Sequence, residues 1–130
     1  MGSFLSVLGL YGLLVIVTIL IQAEVARMQV GLAVQVRNRD DMPALTGAAF
    51  RMERAQLNSA IALALFAPAV LILHVKGVTG GSALFAADLF LIARLLYVIL
   101  YGLGIHWFRT ISWVVGILST AWLYIAGLMA

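Results

Sequence analysis

Apolar residues run in four long blocks along the chain, separated by short polar stretches, and the block lengths set the architecture. The first, Phe4 to Ile21, holds eighteen residues without a charge, close to the ~20 that a helix needs to cross a hydrocarbon core about 30 Å thick. The second runs from about Gly47 to His74, uncharged from Gln56 to Leu73 and with Pro68 inside it, a residue tolerated in a helix that packs within a bundle. The third covers Ala83 to Leu103 and the fourth Trp107 to Leu128. Val36 to Pro43 forms the one sizeable loop, with Arg37, Asn38, Arg39, Asp40 and Asp41 ahead of Pro43, and Thr46-Gly47 punctuates the start of the second span. Lys76 to Ser82 and Gly104-Ile105-His106 are short turns. The pattern predicts an all-α integral membrane protein, a bundle of four transmembrane helices forming a single domain over residues 1–130.

Composition agrees: 65% of the 130 residues are apolar and 10% charged, against roughly a quarter charged in soluble domains. Five of the eight basic residues lie between Arg27 and Arg54, Arg109 follows the third loop, and the second turn holds only Lys76. This bias places loops 1 and 3 on the cytoplasmic side and both termini on the other. The same bias accounts for the net charge of +3, so nucleic-acid binding gains no support from it. With no cysteine, disulfides, thiolate metal sites and cysteine nucleophiles are excluded. The first block lacks a basic n-region and is too long for a signal-peptide core, so it is expected to stay as a span. Met1-Gly2-Ser3-Phe4-Leu5-Ser6 fits the loose myristoylation pattern, but an acyl chain adds little beside a span that starts at Phe4.

Polar side chains within membrane helices are functional candidates by default, and here they fall into stripes. On the second span Arg51, Arg54 and Asn58 share one face near its cytoplasmic end, and on the third Arg94, Tyr97 and Tyr101 repeat the same i, i+3, i+7 spacing. The first span brings Glu24 and Arg27 to that level, and the fourth opens there with Trp107, Arg109 and Thr110. Guanidinium groups with hydroxyls and an amide suit a small anionic ligand. The competing structural readings are headgroup snorkelling for Arg51 and Arg54 and an interfacial aromatic role for Tyr101. Arg94 lies roughly nine or more residues from either end of its span, too deep for easy snorkelling. Asp88 is about 120° around the helix from Arg94 and is not its ion-pair partner within the helix. His74 and His106 sit near helix ends without metal-ligand spacing, and no metal site is expected.

These stripes, with four spans and a cytoplasmic first loop, resemble the MAPEG family, the membrane-associated proteins in eicosanoid and glutathione metabolism. Arg51-Met52-Glu53-Arg54-Ala55-Gln56-Leu57-Asn58 resembles the family's second-helix motif, and Ala93-Arg94-Leu95-Leu96-Tyr97 through Tyr101 its third helix. Arg109-Thr110 is similar to the Arg-Ser pair opening the fourth, and Asn38-Arg39-Asp40-Asp41-Met42-Pro43 to small bacterial members related to microsomal glutathione transferases. The resemblance implies a homotrimer with three glutathione sites between subunits and transferase or peroxidase chemistry on hydrophobic electrophiles from the bilayer. It places Arg27, Arg51, Arg54, Asn58, Arg94, Tyr97 and Tyr101 around glutathione, the co-substrate, with Arg109 and Thr110 near its sulfur. Arg109 fits the catalytic role on physical grounds too, because an arginine at a helix N-terminus stabilises a thiolate by charge and by the helix dipole. A helix-start hydroxyl is the alternative for Thr110.

Two departures from the family pattern bear on function. Ile61 stands where a glutamate is common, and Leu57 where a basic residue often precedes the asparagine. Losing the carboxylate leaves the basic groups less compensated. A second function class follows: a non-catalytic MAPEG-like protein that binds a lipid or a partner through the same groove. A third, a small four-helix multidrug exporter, fits the length and span count but lacks a membrane-embedded glutamate in the first helix, where Glu24 lies at the end.

Overall fold

The computed structural model describes residues 2–37 and 42–130. Four of its helices are long and apolar enough to cross a membrane. They are α1 (Phe4–Val30), α3 (Gly47–Val75), α4 (Gly81–Leu103) and α5 (Trp107–Met129), with a one-turn α2 (Leu32–Val36) between the first two. The predicted second, third and fourth spans thus appear with ends shifted by two residues at most. The first span differs: the helix continues nine residues past Ile21. At 1.5 Å per residue its 27 residues reach about 40 Å, longer than the hydrocarbon core. Hydrophobicity marks only the lipid-embedded part of a helix, and the polar continuation through Gln22, Glu24 and Arg27 stays helical because nothing in it breaks the backbone ladder.

The breaks come where the local chemistry demands them. Gly31 takes φ 87°, a conformation that costs side-chain-bearing residues, and there α1 gives way to α2. Val36, expected at the edge of the loop, is the last residue of α2, and Asn38, Arg39, Asp40 and Asp41 lie outside the described residues. The two ends of the loop are tied down by one side chain: the Gln29 amide donates to the Thr46 carbonyl (3.1 Å) and hydroxyl (2.9 Å), and the Thr46 N–H donates back to the Gln29 Oε1 (3.0 Å). Pro68 sits inside α3, and three residues before it the Leu65 carbonyl accepts from the Tyr124 hydroxyl at 2.6 Å, which ties α3 to α5.

Packing pairs α1 with α3 and α4 with α5 most extensively. The main core lies toward the end of the bundle where α1 begins, and is built from Phe4, Val7, Tyr11, Phe66, Val70, Leu73, Phe90 and Leu123, with alanines 62, 69, 83, 86 and 87 letting the helices approach. At its centre Phe66 and Phe90 stack 3.9 Å apart and Tyr11 meets both edge-on, the geometries that aromatic quadrupoles favour. Outward, Leu13, Ile16, Leu20 and Leu118 are more than half exposed. A belt of such residues is unfavourable in water and ordinary against lipid tails.

Candidate functional site

Three adjoining pockets that share Asn58 follow one another where α3, α4 and α5 meet and together outline a groove. Its mouth lies toward the end where α3 and α5 begin and is lined by Arg54, Asn58, Tyr97, Tyr101 and Arg109. Further along, the walls become Ile61, Leu65, Phe90, Trp113 and Ile117, enclosing a cavity of about 230 Å³. Asn58 and Ile61 belong to both parts, so polar and apolar regions form one surface.

Arg94 is the deepest charged group. It is 2% exposed, and its Nη2 donates to Asn58 Oδ1 at 2.8 Å and to Ser59 Oγ at 3.4 Å. Its guanidinium carbon lies 4.2 Å from the centre of the Tyr97 ring, within the range of a cation–π contact. The Nε–H, also buried, has no partner. The Arg27–Glu24 ion pair lies elsewhere, on α1. A permanently charged guanidinium is thus held in the bundle by an amide, a hydroxyl and an aromatic face, which stabilise a charge far less than a counter-ion would.

Its position depends on α5 as much as on α4. A Cβ added at Gly116 would stand 3.2 Å from Arg94 Cδ, so the arginine stem passes across a helix surface left open by the missing side chain. Near the mouth, the Arg109 guanidinium lies 4.5 Å from the centre of the Tyr101 ring, and Tyr97 and Tyr101 meet edge-on at 5.5 Å. The four side chains thus form a row in which two edge-on tyrosines are flanked by two arginines, each cation on an aromatic face.

The remaining candidates divide. Arg54 and Asn58 line the mouth as their spacing predicts. Arg51, on the same helical face, turns instead toward the end of α4, where its Nε donates to the Gly102 carbonyl at 3.3 Å. It packs beside Gly104, whose φ of 76° ends that helix. A shared helical face fixes the direction of the Cβ but not where a long side chain ends. Thr110 borders the groove, but its hydroxyl donates to the His106 carbonyl one turn back, at 3.2 Å, as serine and threonine within helices do, and not as a capping acceptor. Arg27 is not brought to the groove: it is exposed on α1 and its Nε donates to Glu24 Oε2 at 2.9 Å. Of the small residues, Gly102 and Gly116 meet Met52 and Arg94 closely, whereas Gly9 faces open space.

Three contributors escaped the sequence reading. Ser59, Tyr11 and Trp113 are common residue types in apolar helices, and nothing in their spacing distinguishes them from packing. Ser59 adjoins Asn58, and its burial at 1% is visible only once α4 is in place. No group of three or more histidines, cysteines or carboxylates able to hold a metal occurs among the described residues.

The family model for MAPEG matches residues 7–129. The chain belongs to the MAPEG family. No curated protein and no solved structure matches it. Membership covers all four membrane-crossing helices, so the groove belongs to the part of the molecule that defines a MAPEG protein, a family with both glutathione transferases and non-catalytic members.

Proposed function

We propose that this MAPEG protein is a glutathione-dependent membrane transferase or peroxidase acting on hydrophobic electrophiles that enter from the bilayer. The observation that carries this reading is the joining of a cationic mouth to an apolar cavity in one groove at membrane depth. Glutathione is a peptide with two carboxylates and a thiol, and the donor set fits it: Arg54 and Arg109 offer guanidinium forks, Asn58 an amide, and the buried Arg94 Nε–H an unused donor. Arg54, Asn58, Tyr97 and Tyr101 would hold the peptide. Arg109, in the first turn of α5, would keep the sulfur ionised through its charge and the positive end of the helix dipole. The cavity lined by Ile61, Leu65, Phe90, Trp113 and Ile117 would take the apolar second substrate. The site opens to the cytoplasm under this reading, in a bacterial inner membrane. A homotrimer, the usual assembly of MAPEG proteins, would bring a neighbouring subunit against the groove, which gives the exposed Arg27 a second place to act.

One observation favours a non-catalytic reading. Leu57 and Ile61 line the mouth beside Arg54 and are 49% and 61% exposed, so apolar surface occupies positions where a carboxylate and a base commonly help hold glutathione in this family. A lipid or a partner helix would cover that surface.

Titration of glutathione into the detergent-purified protein, following thiolate absorbance and conjugation of a generic aryl halide, separates the two. The enzyme reading expects a thiolate signal and turnover, with turnover about 100-fold lower or less in Arg109→Ala, the scale of losing one charge-stabilising group. Binding without turnover supports the binding protein, and absence of binding overturns the glutathione reading.

A further inference from the structure

The groove is lined by α3, α4 and α5, yet the residue that fixes its deepest charge stands on α1. Tyr11 is fully buried. Its hydroxyl donates to the Ser59 carbonyl at 2.9 Å, across the interface between α1 and α3. Ser59 belongs to the same arrangement through its own hydroxyl, which accepts from Arg94 Nη2. The ring below is clamped by Phe66 and Phe90, and Phe90 lies one turn before Arg94 on α4 and lines the cavity. The guanidinium contacts an amide, a hydroxyl and an aromatic face, so its orientation depends on dipoles that must themselves be held in place.

We infer that Tyr11 is a positioning residue for the groove: through Ser59, whose carbonyl it binds and whose hydroxyl accepts from Arg94, it holds Arg94 with the Nε–H directed to a bound anion. As a statement about ligand affinity this rests on the glutathione reading; as a statement about Arg94 it does not. Tyr11→Phe keeps the ring and its aromatic contacts and removes only the hydroxyl. Arg94 then relaxes, its Nε–H becomes accessible to water, and glutathione binds about fivefold to tenfold more weakly, with kcat changed less than KM.

The test uses the full-length protein in detergent with ¹⁵N-labelled arginine, the Arg94 Nε resonance being assigned by its loss in Arg94→Lys. Faster exchange of that proton with water in Tyr11→Phe, with the other arginine signals unmoved, is the expected result. Unchanged exchange overturns the proposal, whether or not glutathione binds. The affinity arm is a double-mutant cycle: Tyr11→Phe has no further effect on glutathione binding in an Arg94→Lys background, whereas independent, additive losses would overturn the positioning role. Phe66→Leu disturbs the packing of the ring without touching the hydroxyl, and if it reproduces the Tyr11→Phe exchange rate, the role is packing and the proposal fails. If the wild-type protein binds no glutathione while the Arg94 signal responds to Tyr11→Phe, the glutathione reading fails and the positioning role stands.

Discussion

The two ends of the groove use the same three helices for opposite purposes. At the mouth, Arg54, Tyr101 and Arg109 are polar and accessible, and their side chains end at the surface. At depth, Ile61, Leu65, Phe90 and Ile117 are apolar, and the single charge among them, Arg94, is fully enclosed. Charge at the mouth is inexpensive because water and headgroups solvate it. At depth it is costly, so its retention there indicates a use other than stability. The contrast teaches that the groove is suited to a ligand or ligand pair with one anionic and one apolar part, and that Arg94 marks where the two parts meet.

Breaking the contrast at Arg94 gives the largest effect. Arg94→Met keeps the length of the stem and removes the charge. Glutathione binding is expected to fall about tenfold or more, while thermal unfolding in detergent shows no loss of stability, because an apolar replacement of a buried ion is often neutral or stabilising by about 1–4 kcal/mol. A loss of more than about 2 kcal/mol would instead make the guanidinium part of the fold's support. Gly116→Ala perturbs the same side chain from α5. The new methyl group would lie 3.2 Å from Arg94 Cδ and displace the stem, which predicts a loss of binding of roughly threefold to tenfold with about 1 kcal/mol of overpacking. Equal loss in Gly9→Ala, where the added methyl would meet nothing, would show that the effect is not local. Ile61→Glu sharpens the contrast from the other direction by moving the polar mouth inward. A carboxylate there lies two turns from Arg54 on the same side of α3, in the same part of the groove, and glutathione affinity is expected to rise by up to about fivefold, the scale of a partly exposed charge interaction. Conjugation of the more apolar aryl halides should fall in parallel, and an unchanged preference between apolar and polar acceptors would separate Ile61 from the second-substrate region.

How much of this was legible in the chain follows from what each signal measures. Four spans, their ends and the short turns were read from uncharged runs, because lipid imposes hydrophobicity on every exposed residue of a spanning helix. The apolar run stops at Ile21 for the same reason, since outside lipid the helix needs no such composition, and Glu24 and Arg27, expected at the end of the first helix, lie within α1, which runs to Val30. The stripes Arg54-Asn58 and Arg94-Tyr97-Tyr101 were legible because a helix converts spacing into a shared face. Arg51 obeyed the same spacing and left the groove, since the Gly102 carbonyl offered its long side chain a partner. Arg27 likewise reached the right level of the bundle but not the groove, where Glu24 on its own helix holds it.

The sequence by itself determined the solvent, the number of spans and the family, and placed the residues that carry charge at one level of the bundle. Those properties are local, summed along each helix, and need no knowledge of its neighbours. Tertiary structure decided which arginines meet at the junction of α3, α4 and α5, that Arg94 is enclosed there, and that Ser59 is shared between Tyr11 of α1 and Arg94 of α4. Those are relations between helices, set by how small residues such as Gly116 let two surfaces close, and no periodicity within one helix records them.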